Sequence, residues 1–176
     1  MKMNNFIARI DSILNKKLYI GNKLTELREE KSGQHIPFEA PDTIRYTVYS
    51  LDPNNHNDLK NFKPFPFFDT KNKGLCAVND YLIFAEDERG RHYVIVIEMK
   101  GKKSAKRQLW AGKQISTFFV NRINSLFVDR NFKPIYRLVG CMDKTYKSSV
   151  RVNKIDENVE MRLSYFKKIK LKDLMW

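Results

Sequence analysis

The sequence predicts one α/β domain in which a mixed β-sheet is flanked by helices. Three observations support this prediction: apolar residues at helical spacing near the N-terminus, short β-branched and aromatic runs in the middle, and a long amphipathic pattern after them. With 176 residues, 42% of them hydrophobic and 12% aromatic, the chain is long enough for one hydrophobic core and short for two. We therefore expect residues 1–176 to fold as a single domain.

The N-terminal part of the chain predicts a helical layer over about residues 3–33. Phe6 and Ile10 belong to a set of apolar residues that recur with the spacing of one helix face. A second, polar-rich helix is expected over residues 24–31, and Gly33 is expected to end it. These two helices would form the layer.

The core of the domain is expected over about residues 43–141. Runs of β-branched and aromatic residues predict strands at 43–51, 80–84, 93–100 and 136–141. The apolar segment 62–68 carries two prolines, so it is expected to be a loop over the core. The tail at 165–172 predicts either a last strand or a basic edge.

The longest helical pattern follows the strand that carries Glu98. Its apolar residues are predicted to form one broad stripe that faces the core. The stripe comprises Ala111, Ile115, Phe118, Phe119, Ile123, Leu126 and Phe127.

The charge of the chain favours a polyanionic partner. Thirty-three Lys and Arg against twenty Asp and Glu give a formal net charge of +13, and such an excess binds nucleic acid through the release of counterions. A membrane surface fits less well, because the basic residues do not collect on one amphipathic helix. No apolar run is long enough to span a bilayer and no signal-like block opens the chain, so the cytoplasm is the expected compartment.

The cysteines indicate neither a zinc site nor a disulfide framework. Cys76 and Cys141 are far apart in sequence and have no His or Cys nearby at metal-ligand spacing. We expect both thiols to be reduced and structural.

Asp80, Glu98 and Lys100 form the most informative constellation in the sequence. Glu98 and Lys100 are separated by one residue, so a strand would project them from the same face, and a hairpin would return Glu98 to the level of Asp80. A carboxylate that ends a wholly apolar strand needs a partner or a metal. The alternatives are that Asp80 is a turn residue and that Glu98 and Lys100 form an ion pair.

The segment from Asp80 through Glu98-Met99-Lys100 to Gln108 resembles the core of the PD-(D/E)XK nuclease superfamily, which includes type II restriction enzymes and many phage and DNA-repair nucleases. The resemblance covers about a quarter of the chain. Asn79 stands where the motif's Pro would precede Asp80. The resemblance implies a restriction-endonuclease-like mixed sheet and a metal-dependent nuclease.

In that superfamily the Asp and the Glu bind one or two Mg²⁺ ions, which implies the same role for Asp80 and Glu98. Because Mg²⁺ prefers oxygen ligands and keeps several waters, these carboxylates and the backbone carbonyl of Met99 would suffice, with Mn²⁺ as a substitute. The resemblance assigns Lys100 to position or activate the attacking water and to stabilise charge on the phosphate.

An additional acid in the N-terminal layer is a common feature of the superfamily. Glu29 or Glu26 would contact the metal through water, although a solvated helix face is the simpler interpretation for Glu26, Glu29 or Glu30. His35 is a weaker candidate for the same site. A literal Pro-Asp pair ends at Asp42, and we expect it to be unrelated to the site because a long excursion separates it from Glu98.

The basic segment after Lys100 is predicted to bind phosphates at the start of the long helix. A helix N-terminus offers free backbone amides, and nearby cations add to the attraction. The expected nucleic-acid-binding residues are Lys102, Lys103, Lys106, Arg107 and Gln108, with Lys144, Lys147, Arg151 and Lys154 as an extension and Tyr146 as a candidate for base stacking. An ordinary solvated basic turn is the alternative.

Together these features predict a Mg²⁺-dependent DNA endonuclease that works in phage defence, mobile-element biology or repair, as a homodimer or with a protein partner. Two alternatives stay open. One is a module of the same fold that binds nucleic acid without cleaving it, and the other is a regulatory subunit of a nucleoprotein assembly.

Overall fold

The computed structural model of the chain describes residues 5–29, 32–51, 78–99, 105–129, 131–142 and 151–175, with side chains in the last segment described from residue 154. Lys100, Lys102 and Lys103 lie outside the described residues, as do Glu30, Lys144, Tyr146, Lys147, Cys76 and the proline-rich segment 62–68. The predictions for these residues therefore stand as predictions.

Two α-helices are described. Helix α1 spans Phe6–Ile13 and confirms the first predicted helix, with Asn5 as its N-cap, whose side chain accepts a 2.6 Å hydrogen bond from the amide of Ala8. Helix α2 spans Ala105–Leu126 and confirms the long helix. Short 3₁₀ helices occupy Lys16–Leu18 and Leu171–Leu174.

Ten strands are described, and they form two sheets. The strands are β1 Tyr19–Gly21, β2 Glu26–Glu29, β3 Gln34–Glu39, β4 Arg45–Ser50, β5 Tyr81–Glu86, β6 His92–Glu98, β7 Ile135–Met142, β8 Arg151–Asp156, β9 Val159–Tyr165 and β10 Ile169–Lys170. Within the described residues the main sheet has the order β1-β4-β5-β6-β7-β9-β8, and the small sheet has the order β10-β3-β2. Strands β4, β5 and β6 are antiparallel, whereas β7 runs parallel to β6 and to β9.

The main sheet separates two hydrophobic clusters. On one face Leu82 and Val96 pack with Phe6 of α1 and Leu109 of α2. On the other face the alternate strand residues pack against the small sheet and the C-terminal 3₁₀ helix. The domain is thus a mixed α/β structure, as predicted, and its central strands read as continuous apolar runs because both of their faces are covered.

The second predicted helix, over residues 24–31, is wrong. Residues 26–29 form strand β2, which pairs antiparallel with β3, and Gly33, at φ +65°, lies between the two strands and does not end a helix. Strand alternation explains the pattern, because Leu27 and Glu29 are buried while Arg28 is exposed. The N-terminal layer is therefore helical only in part.

The apolar stripe predicted for α2 is rotated from the face that is buried. The side of α2 against the sheet carries small residues, including Gly112 and Ser116, because the helix packs closely there. A β-carbon at Gly112 would lie 2.5 Å from Val96 Cγ1. Phe118 and Leu126 are exposed, contrary to the prediction.

Neither described helix is both long enough and apolar enough to cross a membrane. Helix α2 has the length but carries four cationic side chains along it.

Candidate active site

Asp80 and Glu98 lie opposite each other on neighbouring strands. The register pairs Tyr81 with Ile97, so the next step outward places Asp80 across from Glu98. Directly opposed residues of an antiparallel pair have β-carbons about 4.5–5.5 Å apart. Asp80 is 2% exposed and Glu98 is fully buried. The hairpin therefore brings together the two acids that the sequence predicted to meet.

Asp80 is held by the backbone that follows Glu98. Its Oδ2 accepts a 2.6 Å hydrogen bond from the amide of Met99. A bond to a charged acceptor is stronger than a neutral one, and it fixes the carboxylate beside the end of β6. The orientation of Asp80 is thus set by the same segment that carries Glu98.

Cys141, on β7, lies near enough to Asp80 and Glu98 for their charges to affect the pKa of its thiol. Burial raises the pKa of Cys141, and the negative charges of Asp80 and Glu98 raise it further. Cys141 is one residue beyond Gly140, which pairs with Glu98 in the parallel register. The two carboxylates therefore raise the pKa of a side chain on the neighbouring strand. The Cys141 thiol is buried and forms no disulfide, as the sequence predicted.

The first turns of α2 cover the same end of the sheet. Gln108 Nε2 donates a 3.1 Å hydrogen bond to the carbonyl of Val78, two residues before Asp80. A β-carbon at Gly140 would lie within 4 Å of Leu109 and Ala105. The helix is thus fixed to both strands that flank β6, and Gln108, predicted to bind nucleic acid or water, contacts the chain that leads to Asp80.

Asn79 is a buried residue of the site whose role the sequence analysis missed. It is fully buried, and its Nδ2 donates a 2.5 Å hydrogen bond to the carbonyl of Tyr81. A β-carbon at Gly112 would lie 2.2 Å from Asn79 Oδ1. Asn79 therefore shapes the turn before β5 and contacts α2, and its place where the motif has Pro is the sequence signal that could have revealed it.

Glu29, on β2 of the small sheet, lies near Tyr81, the residue after Asp80. It is fully buried, and its Oε2 accepts a 2.7 Å hydrogen bond from the amide of Ser32. The hydroxyl of Tyr81 donates to the carbonyl of Arg28 at 2.5 Å and accepts from its amide at 3.0 Å, which ties β2 to the start of β5. Burial raises the pKa of Tyr81, and the charges of Asp80 and Glu29 add to the rise.

Glu26 and His35 belong to a separate, exposed cluster. Glu26 forms an ion pair with Arg28, and His35 Nδ1 lies 3.5 Å from Glu26 Oε2. The hydrogen bond from Arg28 lowers the pKa of Glu26. Glu29 is the better candidate for an additional acid, because it is buried and its charge acts on Tyr81, the residue after Asp80. It is supplied by a strand and not by the predicted helix.

Of the predicted phosphate-binding residues, Lys106 and Arg107 are exposed on the first turn of α2. Lys154 is exposed on β8, at the far edge of the main sheet. Asp42 is exposed in the turn before β4, and β4 begins opposite Glu86, at the end of β5 away from Asp80, which agrees with the predicted separation of Asp42 from the site.

The donor set at Asp80 and Glu98 consists of hard oxygen atoms, which suits Mg²⁺ or Mn²⁺. Among the described residues no group of three or more His, Cys, Asp or Glu side chains is placed to hold a metal ion. Two carboxylates with the Met99 carbonyl remain a chemically suitable set, because Mg²⁺ keeps several waters and takes phosphate oxygens as further ligands.

A cavity of about 350 Å³ opens beside Tyr81 on the side of the small sheet. The described residues that line it are Ile20, Lys23, Leu24, Thr25, Glu26, Arg28 and Tyr81. Neither Asp80 nor Glu98 is among them. The cavity therefore lies next to Tyr81 and does not contain the carboxylate pair.

Comparison with protein-family models, with curated proteins and with solved structures found no match to this chain.

Proposed function

We propose that this protein is a metal-dependent nuclease that hydrolyses phosphodiester bonds, most specifically a DNA endonuclease. The observation that carries the proposal is the buried pair of carboxylates on β5 and β6. Asp80 and Glu98 are buried and opposed across an antiparallel pair, and α2 contacts Val78 and Asn79, the two residues before Asp80. Burying two like charges side by side is unfavourable unless a cation or hydrogen-bond donors compensate them.

The order of elements supports a restriction-endonuclease-like fold. In chain order, helix α1 and the edge strand β1 are followed in the main sheet by the antiparallel strands β4, β5 and β6, then by α2 and the parallel strand β7. The Asp precedes one strand, the Glu ends the next, and the helix begins a few residues later, as in the superfamily that the sequence resembles. Fold likeness alone does not assign chemistry, so the site carries the proposal.

Each residue of the site has a chemical role. Asp80 and Glu98 would hold Mg²⁺, with the Met99 carbonyl as a third ligand, and the hydrogen bond from the Met99 amide keeps Asp80 in place. When bound, the ion would supply Lewis acidity and would lower the pKa of its bound water. Lys100 follows Met99 in the sequence and would orient the attacking water and neutralise charge on the phosphate. Glu29 would contact the site through water.

The charge of the chain favours nucleic acid as the substrate. The net charge of +13 attracts a polyanion, and the outer surface of α2 next to the carboxylates is cationic. Cleavage of both strands of a duplex would use two copies of this single site, which makes a homodimer the simplest active form.

A second candidate function is a module that binds nucleic acid without cleaving it. Helix α2 favours this alternative because its residues include four cations and no acid, a charge pattern that binding alone explains. The buried acids are not needed for it.

The two functions are separated by one set of reactions. Supercoiled plasmid, linear duplex, single-stranded DNA and RNA are incubated with the protein in Mg²⁺, Mn²⁺ or EDTA. Metal-dependent cleavage that is lost in both Asp80→Asn and Glu98→Gln supports the nuclease, and Asp42→Asn is the matched control because Asp42 is an exposed carboxylate outside the site. Salt-sensitive binding with no cleavage under any condition supports the binding module.

A further inference from the structure

The outer surface of α2 carries two exposed aromatic rings in a row of polar and cationic residues. Trp110 is 37% exposed and Phe118 is 65% exposed. The exposed positions recur every three or four residues and form one stripe along the helix. We call this stripe the α2 outer face; it comprises Lys106, Arg107, Trp110, Gln114, Phe118, Asn121 and Arg122.

The α2 outer face is fixed next to the carboxylate pair. Gln108 bonds the carbonyl of Val78, and Gly112 packs on Asn79, the residue before Asp80. Both contacts use the inner side of the first half of α2, so the opposite side of that half points to solvent. The stripe begins at the edge where Asp80 and Glu98 lie.

The spacing and the charge of the face fit a single strand of nucleic acid. Trp110 and Phe118 are eight residues apart, which is about 12 Å along a helix. This distance leaves room for a separate base on each ring, and Lys106, Arg107 and Arg122 would meet phosphates on either side. Bases in a duplex hide their faces in the stack, whereas a single strand exposes them to aromatic side chains.

A second copy of this chain is a poorer occupant of the same face. Within residues 105–126 every charged side chain is cationic, so two such faces would repel each other. A polyanion gains from the same charges.

We propose that the α2 outer face binds single-stranded nucleic acid, with bases stacked on Trp110 and Phe118, and leads the strand to the carboxylate pair. The delivery of the strand to Asp80 and Glu98 rests on the proposed nuclease function, but binding to the α2 outer face requires no catalysis. The substrate of the site would then be a single strand, or a strand unpaired at a junction or flap.

The test measures binding of nucleic acid in EDTA, which removes the metal ion and so prevents metal-dependent cleavage. A fluorescently labelled oligothymidylate and a duplex of equal length are titrated with the full chain and with Trp110→Ala, Phe118→Ala and Tyr19→Ala. Tyr19 is the matched control, because it is an exposed aromatic residue on the edge strand β1, whereas α2 packs on β6 and β7. In parallel, Trp176→Phe leaves Trp110 as the sole tryptophan, and its fluorescence is recorded during the titration.

We expect each α2 aromatic variant to bind the oligothymidylate about 5- to 150-fold more weakly, with little change for the duplex and none for Tyr19→Ala. Tryptophan fluorescence in Trp176→Phe should be quenched by the oligothymidylate. Unchanged binding of the single strand in both aromatic variants would overturn the inference. An equal loss of affinity for the single strand and the duplex would also overturn it, because it would show that the bases do not stack on these rings. Self-association at micromolar concentration that Trp110→Ala abolishes would overturn it in favour of a second copy.

Failure of the inference is distinguishable from failure of the proposed function. If the aromatic variants bind normally while wild type cleaves in Mg²⁺, only the inference is wrong. If wild type binds through Trp110 but no nucleic acid is cleaved, the inference holds and the nuclease proposal is wrong.

Discussion

The carboxylate of Asp80 accepts its hydrogen bond from the amide of Met99, the residue that follows Glu98. One bond of 2.6 Å therefore joins the two strands at the point where their acids meet. The carboxylate has both a structural and a proposed catalytic function, and these functions respond differently to substitution.

Asp80→Ala should destabilise the protein more than Asp80→Asn. The Ala variant removes the acceptor of a buried amide, which costs about 1–3 kcal/mol, whereas the Asn side chain retains an oxygen that can accept the bond. Urea unfolding followed by circular dichroism measures both free energies of unfolding. Equal stability of the two variants would contradict the role assigned to this hydrogen bond.

Mg²⁺ should stabilise the wild type and leave the Asp80→Asn and Glu98→Gln variants nearly unaffected. A ligand that binds only the native state at 100 times its Kd adds about 2.7 kcal/mol to the free energy of unfolding. Thermal unfolding in increasing MgCl₂, with EDTA as the metal-free reference, measures the shift. The same rise of Tm in wild type and both variants would place any bound ion elsewhere.

Gly112→Ala should lower stability although Ala is the better helix former. The substitution normally stabilises a helix interior by about 1 kcal/mol, but here the new β-carbon would lie 2.2 Å from Asn79 Oδ1 and 2.5 Å from Val96 Cγ1. We expect a net loss of about 1–3 kcal/mol in the free energy of unfolding. Gln114→Ala, at an exposed position of α2, is the control and should be neutral. A stabilised Gly112→Ala variant would show that α2 does not pack so closely on the turn before β5.

Tyr49→Phe should weaken the loss of stability at alkaline pH. Burial raises the pKa of Tyr49, and its hydroxyl donates a 2.6 Å hydrogen bond to Asp11, which raises the pKa further. The unfolded chain releases this proton near pH 10 and the folded chain does so at higher pH. The contribution of Tyr49 is therefore complete below pH 10 and falls by about 1.4 kcal/mol per unit above it.

Chemical unfolding at pH 8 and at pH 11 tests the Tyr49 prediction. At pH 8 the variant should be less stable than wild type by about 1 kcal/mol, because the hydrogen bond is lost. At pH 11 the difference should shrink or reverse. A difference that is the same at both pH values would contradict the raised pKa.

The sequence predicted the central hairpin well because its signals are local. Continuous runs of β-branched and aromatic residues define β5 and β6, and the short polar turn between them restricts their register, so the opposition of Asp80 and Glu98 could be predicted. The long helix was also predictable from its apolar period. In both cases neighbouring residues carry enough information.

The small sheet and the orientation of α2 were not predictable in this way. Glu26 and Glu29 have helical spacing, but pairing with β3, a tertiary contact, makes the segment a strand. For α2, the spacing of the apolar residues predicted that Phe118 is in the core. In the structure the helix packs closely on the sheet at Gly112, so its small residues face the sheet and Phe118 is exposed. A stripe of large apolar residues does not reveal which face a helix buries when small residues allow closer contact.

The rate of phosphodiester cleavage in Asp80→Asn and Glu98→Gln, compared with wild type in Mg²⁺, tests the central claim most directly. The substrate is whichever nucleic acid wild type cleaves, and circular dichroism confirms that each variant is folded. The account predicts that both variants lose at least about 100-fold in rate, or about 2.7 kcal/mol, while Asp42→Asn keeps wild-type activity. Cleavage at the wild-type rate by a folded Asp80→Asn or Glu98→Gln variant would contradict it.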